Sequence, residues 1–416
     1  MECVLKDLIL VSKDGEWGKG EPFDDSVEML AIRGTDFDAV RFGVTTSTPR
    51  RHIEKRHADR KILQPWDVII EAAGGTKNQI TGRTVVLRPQ LFSRSELPFT
   101  CASFSRFIRF RTDLCDPEFM FWYLQYLYAS GSMDAYHTQH TGVARFQWTT
   151  FSEREPLEIP VLPIQRRIAG ILSAYDELIE NSQRRIRILE SMARALYREW
   201  FVQFRFPGHE KIALVESSLG KIPKGWSAVA FTEIAEVLSG GTPKTDVSDY
   251  WNGEIPFFTP RDAPDCFYVL DTDKHVTDLG ISKCASELYP PDTVFITARG
   301  TVGKVALPAV PMAMNQSCYA LRGMTGIPQH FLFLMTLQQV EYLKTNVGGA
   351  TFDTIVVDTF RRMQVVQPPR DLIANFAERV GTMFGQVNTL HRQVRNLRRT
   401  RDLMLPRLLS GQVPVS

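Results

Sequence analysis

The sequence predicts an α+β protein: two mixed domains joined by two long antiparallel coiled-coil helices in a pseudo-two-fold arrangement. Three observations predict it. Leu172, Tyr175, Ile179, Ser182, Ile186, Leu189, Ala193, Leu196 and Trp200 follow one another in alternating steps of three and four residues. Phe376, Val380, Met383, Val387, Leu390, Val394, Leu397, Arg401, Met404 and Leu408 repeat that spacing late in the second half. Such a seam is what two helices need to pack along their length, and the chain has to return between them, so they run antiparallel. Finally, at 416 residues the chain exceeds the size at which one hydrophobic core stops growing, so two or more domains are expected.

Residues 1–155 read as the first mixed domain. Trp66-Asp67-Val68-Ile69-Ile70 and Thr84-Val85-Val86-Leu87 are short apolar stretches between Gly-rich turns, which predicts strands. A helix is predicted from Pro117 through Tyr128, carrying Phe119, Trp122, Tyr123 and Tyr126. Residues 156–208 hold the first long helix. It starts near Ile164, behind Pro160 and Pro163, and ends before Pro207-Gly208. Residues 209–366 begin with a linker over 209–224 and continue as a second mixed domain. Residues 367–416 hold the second long helix, opened by Pro368-Pro369 and fading near Pro406. Ser182 and Arg401 are polar residues at seam positions, where such residues commonly fix register.

The halves also share motifs. Pro65-x-Asp67 followed by Gly74-Gly75-Thr76 matches Pro290-Pro291-Asp292 followed by Arg299-Gly300-Thr301, with Asp67 set against Asp292. Gly142-x-Ala144-x-Phe146 matches Gly348-x-Ala350-x-Phe352, and Ile168 matches Ile373. Repetition over this length means two copies of one domain.

The net charge of +2 is unevenly spread. Residues 184–205 carry six Arg against Glu190 and Glu199, and residues 391–407 carry six Arg against Asp402. The helices are therefore basic and the globular parts slightly acidic, so nucleic-acid binding would need local basic loops. The six cysteines are scattered without a C-x-x-C pair, which reads as free thiols in a reducing cytosol. No apolar run approaches the ~20 residues of a membrane span, and no secretory signal is visible, so a cytoplasmic protein is expected.

A search for catalytic motifs finds little. Gly300-Thr301-Val302-Gly303-Lys304 resembles part of a phosphate loop, but Ala298 and Val305 stand where Gly and Ser/Thr are required. His137-x-x-His140 lacks further ligands and reads as two polar histidines. Recognition is better served. Ser239-Gly240-Gly241-Thr242-Pro243-Lys244 is a Gly-rich turn with a hydroxyl and a Lys that could meet phosphate, or a plain turn ending a strand. Ala298-Arg299-Gly300-Thr301-Val302-Gly303-Lys304 is a second such turn. Its first-half counterpart holds Lys77, Asn78 and Gln79, side-chain types that read base edges in the major groove. The candidate DNA-binding residues are Lys77, Asn78, Arg83, Gly241, Thr242, Lys244, Arg261, Arg299 and Lys304. The basic segment Arg50, Arg51, Lys55, Arg56, Arg60 and Lys61 reads either as a solvated face or as a phosphate track.

Several stretches resemble the specificity subunits of type I restriction–modification systems. They are Pro163-Ile164-Gln165-Arg166-Arg167-Ile168-Ala169 with Ile171-Leu172-Ser173-Ala174-Tyr175-Asp176, then Trp200-Phe201-Val202, and Met404-Leu405-Pro406 with Leu408-Leu409-Ser410-Gly411. Gly240-Gly241-Thr242-Pro243, Trp251-x-Gly253-x-Ile255-Pro256 and Asn315-Gln316 are similar to the target-recognition domains of that family; no Gly-Gly-Thr-Pro counterpart follows Asp7-Leu8-Ile9 in the first half. The resemblance implies that each domain reads one half of a split, asymmetric site in double-stranded DNA. The helices would set the spacer and dock two methyltransferase subunits, and motor-nuclease subunits would join them. It also implies a chain that holds no catalytic residue and binds no cofactor or metal. S-adenosylmethionine, ATP and Mg would sit on the partner subunits. Two other readings stand beside it: an enzyme with an unrecognised site, and a coiled-coil scaffold without sequence-selective DNA binding.

Overall fold

The computed structural model describes residues 2–75, 79–139, 143–346 and 354–415. It divides into two compact units, Met1–Glu180 with Leu397–Ser416, and Asn181–Asn396. Each unit holds one mixed domain and a stretch of both long helices. The divisions thus fall inside the helices, because each helix segment packs onto the domain beside it.

In the first unit a four-stranded antiparallel sheet runs in the order Ile9–Asp14, Ser105–Phe110, Val68–Glu71, Thr84–Val86. A three-stranded sheet places Ser26–Ile32 between antiparallel Arg50–Glu54 and parallel Phe99–Cys101. Val68, Ile69, Ile70, Val85 and Val86 are fully or almost fully buried, as a continuous apolar run flanked on both faces requires. The helix Pro117–Ala129 starts where Asp116 accepts the Phe119 N–H at 2.9 Å, with Pro117 in the first turn. Its residues Phe119 through Leu124 are all buried in one core with Ile168, Leu172, Leu405 and Leu408.

The second unit repeats this plan. Its main sheet runs Ala235–Ser239, Cys318–Gly323, Val294–Thr297, Val305–Pro308, with Tyr268–Val269 added in parallel at the edge. A three-stranded sheet sets Trp251–Phe258 between antiparallel His275–Val276 and parallel Ala313–Met314. The duplicated topology agrees with the repeat read in the sequence, but the register differs by one. Trp66 (φ 73°) and Asp292 (φ 65°) hold the same left-handed position, and their N–H groups donate to Leu87 O and Pro308 O. Asp67 therefore corresponds to Thr293, not to Asp292; backbone conformation rather than residue type is what the repeat preserves. Gly142 and the whole Gly348-x-Ala350-x-Phe352 match lie outside the described residues.

Residues 209–224 are more than a linker. Leu214–Ser217 and Gly220–Pro223 pair as a hairpin, with Gly220 at φ 89°. Trp226 then packs on Phe206 and Phe204, ring centroids 5.2 and 5.4 Å apart.

The long helices span Leu162–Tyr197, extended by a wider π-type turn Arg198–Val202, and Arg370–Leu409. Every seam residue is buried or half-buried, Ser182 and Arg401 included. In the first unit Leu172 shares a core with Leu405, and the Tyr175 hydroxyl meets the Met404 sulfur at 3.2 Å. In the second, Trp200 and Phe201 pack on Phe376, at 5.5 and 4.8 Å. Rising numbers on one helix meet falling numbers on the other, so within each unit the segments are antiparallel. The second helix does not fade at Pro406. Proline removes one N–H, but burial of Leu405 and Leu408 holds the last turn, and the Ser410 N–H still donates to Pro406 O at 2.9 Å. Among the described residues no helix is long and apolar enough to cross a membrane.

Arg401 occupies its seam position because it has a buried partner. Asp176 is 1% exposed and receives Arg401 at 2.6 Å, Arg41 at 2.8 Å and Arg88 at 3.2 Å. Burial alone would raise the Asp176 pKa, but the three guanidiniums outweigh it and hold the carboxyl below its ordinary value. Arg88 also binds Glu118 at 2.8 Å, and Arg41 lies over the Trp122 ring at 4.8 Å. This network ties both helix segments to the first domain. In the second unit Glu190 plays a similar part, accepting the Phe267 N–H at 2.7 Å.

Candidate nucleic-acid interface

The second unit gathers its Gly-rich turns at one end of the main sheet. The register that pairs Ser239 with Tyr319, Cys318 with Thr297, and Val305 with Ile296 brings three loops together there. They are 240–250, 298–304 and 315–317; the 259–267 loop feeds the edge strand at the same end.

Gly240 and Gly241 are required by packing. A Cβ on Gly240 would collide with the Asn315 carbonyl, and one on Gly241 with the backbone N–H groups of Ala285 and Ser286. Gly241 is buried, so its role is close backbone approach within the protein. The Thr242 hydroxyl bonds the Gln316 side chain, which joins the first loop to the third. The Trp251 indole N–H donates to Lys244 O at 3.0 Å and fixes the loop's return. The Lys244 side chain is left pointing into solvent.

In the second turn Gly300 (φ 79°) and Gly303 (φ 75°) adopt left-handed backbone. The Gly303 N–H donates to Thr297 O at 2.8 Å, and the Lys304 N–H to the Thr297 hydroxyl at 2.9 Å. These two amides are spent inside the turn. The Ala298 N–H docks the turn on Ser317 O at 2.7 Å. Arg299 and Gly300 stand exposed at the tip. Lys304 is held in an ion pair with Asp265. Arg261 is exposed on a turn in which Asp262 accepts from the Thr259 N–H at 2.8 Å. Among the described residues, no ion pair engages Lys244, Arg261 or Arg299. The structure therefore brings Gly241, Thr242, Lys244, Arg261, Arg299 and Lys304 to one end of one sheet, three of them as uncommitted cations.

The equivalent end of the first unit is built differently. The strand Ile9–Asp14 ends in Gly15, whose N–H donates to Ser105 O at 2.9 Å, as that of Gly240 donates to Cys318 O at 3.3 Å. A Cβ on Gly15 would collide with the carbonyls of Cys101 and Ala102. Gly15 is thus the counterpart of Gly240, at a place where no Gly-Gly-Thr-Pro marks it. The signal was the strand followed by Gly15-x-x-Gly18. Trp17, Arg33, Glu71, Gly74 and Phe104 line a cleft of about 580 Å³ here. Phe104 is exposed, and Arg33 is fixed by Asp36 at 3.0 Å. Arg83 is committed: its Nε and Nη2 donate to the two Glu71 carboxylate oxygens, at 2.9 and 2.8 Å, and this pairing raises its pKa. It stands behind Glu71, which lines the cleft. Lys77 and Asn78 lie outside the described residues, as does His140. His137 meets the Thr81 backbone N–H at 3.2 Å and the Thr81 hydroxyl at 3.0 Å, an internal role.

Three of the six cations of the basic segment, Arg50, Arg56 and Lys61, are ion-paired among the described residues. Arg51 lies over Trp17 at 4.4 Å and bonds Trp17 O at 3.0 Å. Lys61 pairs with Glu16 at 2.8 Å, Arg50 with Glu28 at 3.5 Å and Arg56 with Glu54 at 3.6 Å. All six cysteines are free thiols, in accord with their scattered spacing.

Residues 223–381 match the family model described as the type I restriction modification DNA specificity domain. Over 173 residues the chain is 30% identical to the type I restriction enzyme MjaIX specificity subunit of Methanocaldococcus jannaschii, covering 41% of this chain and 39% of that protein. Over 318 residues it is 23% identical to the type I restriction enzyme HindI specificity subunit of Haemophilus influenzae, covering 62% of this chain and 69% of the relative. The matched stretch thus spans well under half the length of the first of these relatives. Among solved structures, the S subunit of a type I restriction–modification system from M. genitalium aligns with a TM-score of 0.58 at 17% identity, over 98% of this chain and 95% of that one. That likeness is one of fold.

Proposed function

We propose that this chain, which belongs to the specificity subunits of type I restriction–modification systems, reads a bipartite, asymmetric DNA sequence, one half with each domain. The observation that carries the reading is the duplicated sheet end. Two units of one topology present non-equivalent loops, and in the second unit those loops hold three exposed cations that no ion pair engages among the described residues. Uncommitted Lys and Arg on rigid turns suit phosphate and base-edge contact, and different loops suit different half-sites. Lys244, Arg261 and Arg299 would touch DNA. Gly241, Thr242 and Lys304 would position the loops that carry them, and Arg83 would do so in the first unit. Lys77 and Asn78 remain the proposed contacts of the first domain.

The paired helices would set the unread spacer and dock two methyltransferase subunits, with motor-nuclease subunits completing the complex in the cytoplasm. Adenine methylation and cleavage, and with them S-adenosylmethionine, ATP and Mg, would belong to those partners. A 36-residue helix is about 54 Å long, against ~34 Å per DNA turn, so half-sites one to two turns apart are within reach.

The test is a genome-wide adenine-methylation map of a methylation-free host. One culture expresses the accompanying methyltransferase with this chain, the other without it. Two short blocks around a fixed gap, appearing only with this chain, are the expected result. An assembled complex that produces no new motif would favour a coiled-coil scaffold and overturn the reading.

A further inference from the structure

Within the second unit, one side chain from each of three elements converges on a single point. Glu190 comes from the first long helix, Cys266 from the loop before Tyr268–Val269, and His391 from the second long helix. Their ligand atoms all lie within 4.8 Å of one another. Glu190 is buried, and Cys266 and His391 are half-buried. Glu190 and His391 stand on the long helices, and Cys266 stands where the loop that carries Arg261 runs into the edge strand; a thiol, an imidazole and a carboxylate side by side in a protein interior are more than packing requires.

We propose that Glu190, Cys266 and His391 form a site for a zinc-type divalent cation that pins both long helices to the second domain. The donor set selects the ion class. Sulfur and imidazole nitrogen favour Zn²⁺ over Mg²⁺ or Ca²⁺, which take oxygen ligands, and three protein ligands leave a fourth position for water. Ligand atoms around a tetrahedral Zn²⁺ lie roughly 3.3–3.8 Å apart, so the trio draws in by about 1 Å on binding. Glu190 is already oriented, because one carboxylate oxygen accepts the Phe267 N–H at 2.7 Å, the outer-shell bond that metal-bound carboxylates commonly make. The other oxygen faces Arg194 at 3.5 Å. That side chain is 47% exposed, and its guanidinium also lies over the Phe267 ring at 4.6 Å, so it gives up the carboxylate without losing its other contact. On binding, Cys266 loses its thiol proton to solvent and ligates as thiolate.

The test uses the full-length chain, freed of metal by a chelator and titrated with Zn²⁺ and, as a spectroscopic probe, Co²⁺. The expected result is about one ion per chain, with a thiolate-to-cobalt charge-transfer band. Cys266→Ser should abolish that band, and Cys266→Ser and His391→Gln should each weaken Zn²⁺ binding by more than about tenfold. Cys284→Ser, a half-buried cysteine elsewhere, should leave both unchanged. Zn²⁺ should also raise the melting temperature of the parent chain and not that of the two site variants. Melting of the variants without metal at the temperature of the metal-free parent separates loss of a ligand from loss of the fold. Absence of stoichiometric binding by the parent, a cobalt spectrum without thiolate character, or parental affinity in both variants would overturn the site.

Discussion

At the scale of single residues, charge commitment separates the candidates. Among the described residues Lys244 and Arg299 are exposed cations without an ion pair, whereas Arg83 and Lys304 already face Glu71 and Asp265. Lys244→Ala or Arg299→Ala should weaken DNA binding by ~1–3 kcal/mol without changing stability. Titration of the assembled complex against its site, beside a denaturant melt, checks both; unchanged affinity in both variants would remove these turns from the interface. Asp176 makes the opposite case. Asp176→Ala leaves Arg41, Arg88 and Arg401 without their shared counter-charge, and the chain should lose ~3–5 kcal/mol. Because its folded-state pKa is depressed, its contribution is present above the ordinary carboxylate pKa and disappears as pH falls through the lower folded value. Denaturant melts from neutral to acid pH should show the difference between parent and Asp176→Ala shrinking over that acid range. A difference independent of pH would rule out the ion cluster as its source.

At the scale of elements, the Gly-rich turns and the long helices respond to different changes. Gly240→Ala forces a Cβ into the Asn315 carbonyl and should displace the loop that carries Lys244. DNA affinity should fall further than for Lys244→Ala, with a lower melting temperature as well; parental affinity would show that the turn adapts. The helices are constrained by their seam. Heptads were legible because every seam position is buried or half-buried, but the last turn beyond Pro406 was not. Its persistence depends on tertiary burial of Leu405 and Leu408, which propensity does not include. A seven-residue insertion in one helix should disturb packing, whereas matched insertions in both should lengthen the unread spacer in the methylation map. Loss of binding in the matched variant, with no change of spacer, would reject the helices as a ruler.

At the scale of the whole molecule, duplication is the organising fact. Each unit carries the same main-sheet order and the same three-stranded companion, yet one sheet end displays exposed cations and the other an aromatic-lined cleft. Under the proposed reading, two non-equivalent surfaces predict an asymmetric target. Arg299→Ala should therefore relax one block of the methylated motif and leave the other block and the gap intact. Relaxation of both blocks would mean that the domains do not read independently.

The sequence by itself determined the α+β class, the two seams, the presence of a repeat and the presence of the Gly-rich turns, because each is a pattern in the order of residues. Periodicity dictates which helix face is apolar, and glycine marks where backbone must come close. What only the tertiary structure decided is which charges are free. Arg83, Lys304 and Arg401 look in the sequence like any other cation, and only the fold brings Glu71, Asp265 and Asp176 to them across 12, 39 and 225 residues. The fold also decided that Gly15 stands where Gly240 stands, that Trp66 answers to Asp292, and that Glu190, Cys266 and His391 meet. These are relations across sheets and between helices, which no local pattern encodes.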